Sequence, residues 1–267
     1  MVALNVTHWG HAGEKIVLVH GGVQGSKRGG ADHFPTQKAL VDDGFHVLVP
    51  DRPGHGQSAF PGRPDDPEAD GELIAELLGD GAHLVGHSFG GCVALAAAVR
   101  RPEAVKTLTL IEPGMQPVAL DKLPVMLFVL RLLIALKLSF SAETRVKRFA
   151  KMIRIPEAMG GGARTREEFE AMSRAASSVR VPTKKTLTRQ LSAMKSAGVP
   201  LLVVTGGWSR GVDVTAEVVA SLGNGRHVII ASPHHFPQAV SDEFNQVLVR
   251  FIRDSSSSLR SKASSSR

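Results

Sequence analysis

The sequence contains no tyrosine, a single cysteine and few aromatic residues (5%). Each scarcity excludes something. Without tyrosine, no phenol can act as acid, base or nucleophile. With Cys92 alone, no internal disulfide can form, and nothing argues for an oxidising compartment. Charge is nearly balanced at a formal net +7; the last thirteen residues carry Arg260, Lys262 and Arg267 and no acid, and without them it is +4. Elsewhere the basic residues are spread out, apart from a cluster at Arg145, Lys147, Arg148, Lys151 and Arg154 that reads as a solvated helix face, so no nucleic-acid partner is expected.

Long apolar runs are also lacking. The most apolar stretch, Leu123 to Phe140, contains Arg131 and Lys137 and falls short of the roughly 20 residues a spanning helix needs. The N-terminus has no basic segment followed by an apolar one. The expectation is a soluble, cytoplasmic protein with no membrane span.

What is present is an alternation. Ile16–Val19 is a continuous β-branched and aliphatic run, the mark of a strand buried on both faces. Similar runs occur at His46–Val49, His83–Val85, Val105–Ile111, Leu201–Thr205 and His227–Ile230, with Leu4–Trp9 as an edge strand. Helical patterns lie between them, at Phe34–Val41, Pro67–Leu78, Ser88–Arg101, Asp213–Leu222 and Gln238–Ile252. This predicts an α/β fold with a mostly parallel central sheet and helices on both faces. The core is expected at residues 1–113 and 199–254. Residues 114–198, helical and broken by Gly160-Gly161-Gly162, form an inserted helical cap over the carboxyl ends of the strands, the edge where such sheets bind ligands. Residues 255–267 are Ser-rich and predict a disordered tail.

Three stretches carry chemistry. Gly86-His87-Ser88-Phe89-Gly90 joins a strand to a helix. A G-x-S-x-G turn at that junction strains and exposes its serine, and the helix N-terminus with the Phe89 N–H favours negative charge beside Ser88. His20-Gly21-Gly22 follows the first buried strand and can supply a second oxyanion donor, the Gly22 N–H, with the Val23 N–H as the alternative. His234-His235-Phe236-Pro237 follows the last strand, from which an imidazole can reach across the sheet edge to Ser88; His235 is preferred as the base.

These pieces, with Asp51-Arg52-Pro53-Gly54-His55-Gly56-Gln57-Ser58 between them, resemble α/β-hydrolase fold enzymes of the esterase and lactonase type over residues 4–254. In that family the histidine of a pattern like His235-Phe236-Pro237 is the base, and the Asp51–Ser58 stretch is a fold marker. His234 stands where glycine is more usual. The acid departs further: Ser209 occupies the place of the common aspartate and cannot steady an imidazolium. Glu112, at the end of the preceding core strand, is the first substitute, and Asp213 the second; Asp213 also reads as a helix N-cap.

A serine at position 88 points to acyl transfer, where relatives acting through alkyl-enzyme esters need an aspartate. No cofactor or metal is expected. The expected reaction is hydrolysis of a carboxylic ester or lactone of a hydrophobic small molecule. Met115, Met126, Phe128 and Trp208 are candidate pocket walls. The apolar run Val125–Leu138 lines that pocket, packs internally or joins two copies in a homodimer. Hydrolysis of a C–C bond or thioester at the same triad, or a ligand-binding sensor with little turnover, are the alternatives.

Overall fold

The computed structural model describes residues 3–156 and 164–265; the triple-glycine break lies outside them. Seven strands form one sheet: β1 (Val6–Trp9), β2 (Glu14–Val19), β3 (Phe45–Pro50), β4 (Ala82–His87), β5 (Val105–Ile111), β6 (Leu201–Thr205) and β7 (Arg226–Ile229). Their spatial order is β1-β3-β2-β4-β5-β6-β7. β1 pairs antiparallel with β3, and every other pairing is parallel.

Side-chain alternation explains why β2 reads as unbroken apolar sequence. Ile16 and Leu18 enter the core on one side of the sheet, while Val17 and Val19 enter the core on the other. Helices α2 (Pro67–Leu77), α3 (Phe89–Arg100), α7 (Lys184–Ser196) and α8 (Arg210–Gly223) cover one face, and α9 (Glu243–Ser265) covers the other. Asp66 caps α2 by accepting from the N–H groups of Glu68 and Ala69, ahead of a proline at the first helical position.

Three expectations change. The helix expected over Phe34–Val41 is only a 3-10 turn at Gln37–Val41, and a short helix α1 (Gly30–His33) precedes that range. Pro35 causes the break, since the residue before a proline is pushed out of the helical region, and Phe34 has ψ of 57°. The cap between β5 and β6 contains α4 (Leu123–Lys137), α5 (Ala142–Met152) and α6 (Arg166–Ser178), but α7, also assigned to the cap, gives Leu187, Leu191 and Met194 to the sheet core. Finally, α9 continues to Ser265 through the run expected to be disordered. The hydroxyls of Ser255, Ser256 and Ser257 donate to carbonyls four residues back, so they do not compete for the helix's own backbone N–H groups.

Candidate active site

Ser88 sits at the β4–α3 junction with φ 56° and ψ −125°, in the left-handed half of backbone space that costs a non-glycine residue about 1–3 kcal/mol. The neighbouring backbone enforces it: the Ser88 N–H donates to Ile111 O at 2.8 Å, and its carbonyl accepts from Gly91 and Gly114. A Cβ at Gly86 would lie 2.5 Å from Gly90 O and 2.7 Å from Ala94 Cβ, so the turn closes only around glycine.

Glu112, at the end of β5, has φ 47° and is buried. His235 lies between these two residues. Its Nδ1 is 3.0 Å from Glu112 Oε2 and its Nε2 2.9 Å from Ser88 Oγ. With Nδ1–H donating to the carboxylate, Nε2 is left to accept from the serine hydroxyl. The structure thus brings together Ser88, His235 and Glu112. His234, by contrast, turns its Nδ1 toward Ser232 Oγ and the Phe236 N–H.

The loop that has lost the usual aspartate supports the glutamate. Gly206 N–H donates to Glu112 Oε1 at 2.6 Å, and the Trp208 indole N–H donates to Oε2 at 2.9 Å. Hydrogen bonds of this kind to a carboxylate are stronger than neutral ones. Trp208, expected as a pocket wall, is therefore also a partner of the acid. Asp213 is not brought to His235. It lies in the first turn of α8, where Ser209 takes the N-cap position instead, and its side chain turns to Thr205. Burial raises its pKa, and its Oδ1 is unpaired among the described residues.

The loop after β2 passes directly over the serine. A Cβ on Gly21 would stand 2.7 Å from Ser88 Cβ and 2.9 Å from His87 O, so a side chain there would push the loop away. Among the described residues, no hydrogen-bond partner is found for the N–H groups of Phe89, Gly22 and Val23, which leaves them able to donate. Gly22 has φ +91°.

The sequence reading misses the histidines behind this loop. His87 Nε2 donates to His235 O at 2.8 Å, tying the base-bearing loop to the serine turn. His20 accepts from the Arg52 N–H at 2.9 Å and donates from Nδ1 to Gly21 O. Its ring stacks on His33 and meets His55 edge-on. Burial lowers the pKa of all four, and well below the ordinary histidine value for His20, His55 and His87. His20, His55 and His87 each lie within a motif, but nothing local in the sequence shows that their rings gather with that of His33. Arg52 is fully buried, pairs with Asp65 at 2.5 Å, and lays its guanidinium 4.9 Å from the Phe89 ring centre. The Asp51–Ser58 marker thus braces both sides of the serine turn.

Cap helices flank the opening. Phe128 of α4 lies 6.4 Å from Trp208, whose ring meets His235 at 5.8 Å. On the other side α6 touches the loop, where a Cβ on Gly25 would stand 2.8 Å from Ala171 Cβ. Of the four expected wall residues, Phe128 and Trp208 are at the site. Met115 is not: it is fully buried in the sheet core with Val118 and Ala119, because the chain turns inward after β5. Met126 is 49% exposed, on the outer side of α4 from Phe128.

Comparison with known proteins places these features in context. The model of the alpha/beta hydrolase family matches residues 16–247. The chain is 35% identical over 107 residues to Lipase 1 of Psychrobacter immobilis, covering 38% of this chain and 32% of that protein. It is 32% identical over 114 residues to a 2-hydroxy-6-oxo-6-phenylhexa-2,4-dienoate hydrolase of Comamonas testosteroni, covering 40% of each. The matches thus span about a third to two fifths of these relatives' own lengths. The solved structure of an N-acyl homoserine lactone degrading enzyme superposes with a TM-score of 0.61 at 21% identity, over 92% of this chain and 96% of that one; the likeness is one of fold.

Proposed function

Because the chain belongs to the alpha/beta hydrolase family, whose model spans residues 16–247, we propose that it is a serine hydrolase cleaving a carboxylic ester or lactone of a hydrophobic small molecule. The observation that carries this reading is the continuous hydrogen-bond chain from Ser88 Oγ through His235 to Glu112. His235 Nε2 takes the hydroxyl proton as Ser88 attacks the carbonyl carbon. The oxyanion that forms is met by the Phe89 N–H and the Gly22 N–H. His235 returns the proton to the leaving oxygen, and water, deprotonated by the same nitrogen, releases the acyl group from Ser88. Glu112 keeps the ring in the tautomer this needs and stabilises the imidazolium. Trp208, Phe128 and Phe236 present apolar surface beside the reacting centre, which favours a hydrophobic acyl or alcohol part.

A second reading, hydrolysis of a C–C bond by the same residues, is favoured by the resemblance to the dienoate hydrolase of Comamonas testosteroni. Turnover of a chromogenic ester panel by wild type and by Ser88→Ala separates the two. Hydrolysis that vanishes with Ser88 supports the ester reading. A folded wild type that ignores every ester and lactone, yet cleaves a vinylogous diketone, replaces it with the C–C reading.

A further inference from the structure

Helix α4 presents its most apolar face to solvent. Leu123, Met126, Leu127, Leu130, Leu133 and Ile134 are each 41–61% exposed and recur every three or four residues, so they form one stripe. Beyond the helix end, Leu138 at 64% and the fully exposed Phe140 prolong it. The opposite side of α4 is satisfied: Val125 and Ala135 are buried, and Phe128 packs on Gly211. Single exposed leucines are ordinary, but a contiguous stripe of this length is not.

Charge is concentrated on the same segment. From Lys122 to Arg154 the sequence has eight lysines and arginines and one acid, Glu143. That surplus of seven equals the formal charge of the entire chain, so everything else is neutral overall. Arg131 and Lys137 border the leucine stripe on α4, and Lys151 is exposed on α5, which packs beside it. None of the three has an acidic partner among the described residues.

We propose that α4 and α5 dock the protein on an anionic lipid membrane. The 15-residue α4 would lie in the interface plane, its leucines among the acyl chains and its flanking cations against the headgroups. It would lie on the membrane without crossing it: among the described residues no helix is long and apolar enough to span, and α4 is only roughly 22 Å long. A second copy of this chain fits the face poorly, since two-fold pairing would set one sevenfold positive segment against another. The orientation has a consequence that rests on the function proposed above. Phe128, on the inner side of α4, leads through Trp208 to His235, and the Arg154 guanidinium lies 5.8 Å from the Trp208 ring. An apolar substrate dissolved in the bilayer would thus enter the site about one helix width from the surface.

Flotation with vesicles tests the docking, using the full chain as wild type, Leu130→Glu, and Arg131→Glu combined with Lys137→Glu. Wild type is expected to float with phosphatidylcholine vesicles containing phosphatidylglycerol, at least tenfold more weakly with phosphatidylcholine alone, and less at high salt. Each unpaired cation adds roughly fivefold on the anionic surface. Leu130→Glu should reduce binding to the anionic vesicles at least tenfold, and the double charge reversal should do so on these vesicles only. Both variants should keep wild-type melting and wild-type turnover of a water-soluble ester; were Leu130→Glu to unfold, Leu130→Gln would take its place. A wild type that floats with neither vesicle overturns the proposal. So does anionic-vesicle binding that Leu130→Glu leaves unchanged, or a solution dimer that Leu130→Glu converts to monomer. Flotation does not need Ser88, so docking by a chain inactive on all esters would overturn the ester reading and leave this one standing.

Discussion

The Trp208 indole N–H donates to Glu112 Oε2 at 2.9 Å, so the loop that lacks the customary aspartate now holds the carboxylate that stands in for it. Gly206 N–H takes the other oxygen. The proposed acid thus stands at the end of β5 and is held by the loop after β6. Trp208→Phe keeps the aromatic wall and removes only the donor. It should lower kcat on a good ester about tenfold with KM nearly unchanged, in line with the worth of one hydrogen bond to a charged group. Trp208→Ala should also open the wall and shift the preferred acyl chain to longer members of the panel. An unaltered kcat in Trp208→Phe would mean that Gly206 alone suffices to hold Glu112.

The proposed roles of Ser88 and Glu112, with Asp213 left out of the reaction, set an order of losses. Ser88→Ala removes the nucleophile and should cost on the order of 10⁶-fold in kcat. Glu112→Gln keeps the shape but loses the charge, and should cost on the order of 10⁴-fold. Asp213→Asn should be close to neutral for kcat, because His235 Nδ1 is already taken by Glu112. Steady-state kinetics on the three variants would reverse the choice of acid if Asp213→Asn proved the more damaging.

Much of this was legible in the sequence because the relevant signals are local. β5 has the limits its sequence predicts, since Val105–Ile111 is a single β-branched and aliphatic run bounded by a helical turn and Glu112-Pro113. Ser88 announces itself through the glycines its turn requires. What stayed hidden depends on distance in sequence. His87 reaches His235 across 148 positions, and Trp208 reaches Glu112 across 96, so neither partner could be named in advance. Met115 looked like a wall because it follows the strand end, but the inward turn of the chain sends it to the core. Asp213 looked like a cap because an acid near a helix start usually is one; here the helix begins three residues earlier, at Arg210.

Acid should destabilise the fold through its histidines. Burial lowers the pKa of His20, His33, His55 and His87, and pushes His83 down to about 4. The unfolded chain takes up these protons near the ordinary value of about 6.5, while the folded chain resists until well below it. Below about pH 6.5 the unfolded state therefore binds more protons, and stability falls with pH by up to about 1.4 kcal/mol per pH unit for each histidine. Asp70 and Asp213, raised by burial, act in the opposite sense, but they are two carboxyls against these five imidazoles and three more, His46, His227 and His234, that burial also lowers. Calorimetric melting should show a lower Tm at about pH 5 than at about pH 7. A flat profile over that range would mean that these rings are open to solvent.

Gly21 provides the sharpest separation of activity from stability. The loop it belongs to crosses Ser88 so closely that a methyl group would lie 2.7 Å from Ser88 Cβ and 2.9 Å from His87 O. Both neighbours are fixed, one by the strained turn and the other by the backbone of β4, so the loop must move instead. Moving it would draw the Gly22 N–H away from its proposed place at the oxyanion, and one such donor is worth roughly 10²- to 10³-fold in kcat. Gly21→Ala should therefore lose about that much turnover, while its melting temperature drops by only a few degrees, since the loop borders the site and contributes little to the core. Ser88 should still react with a small, strongly electrophilic organophosphate in this variant, although more slowly. If Gly21→Ala kept full turnover, the second oxyanion donor would have to come from a group other than the loop after β2.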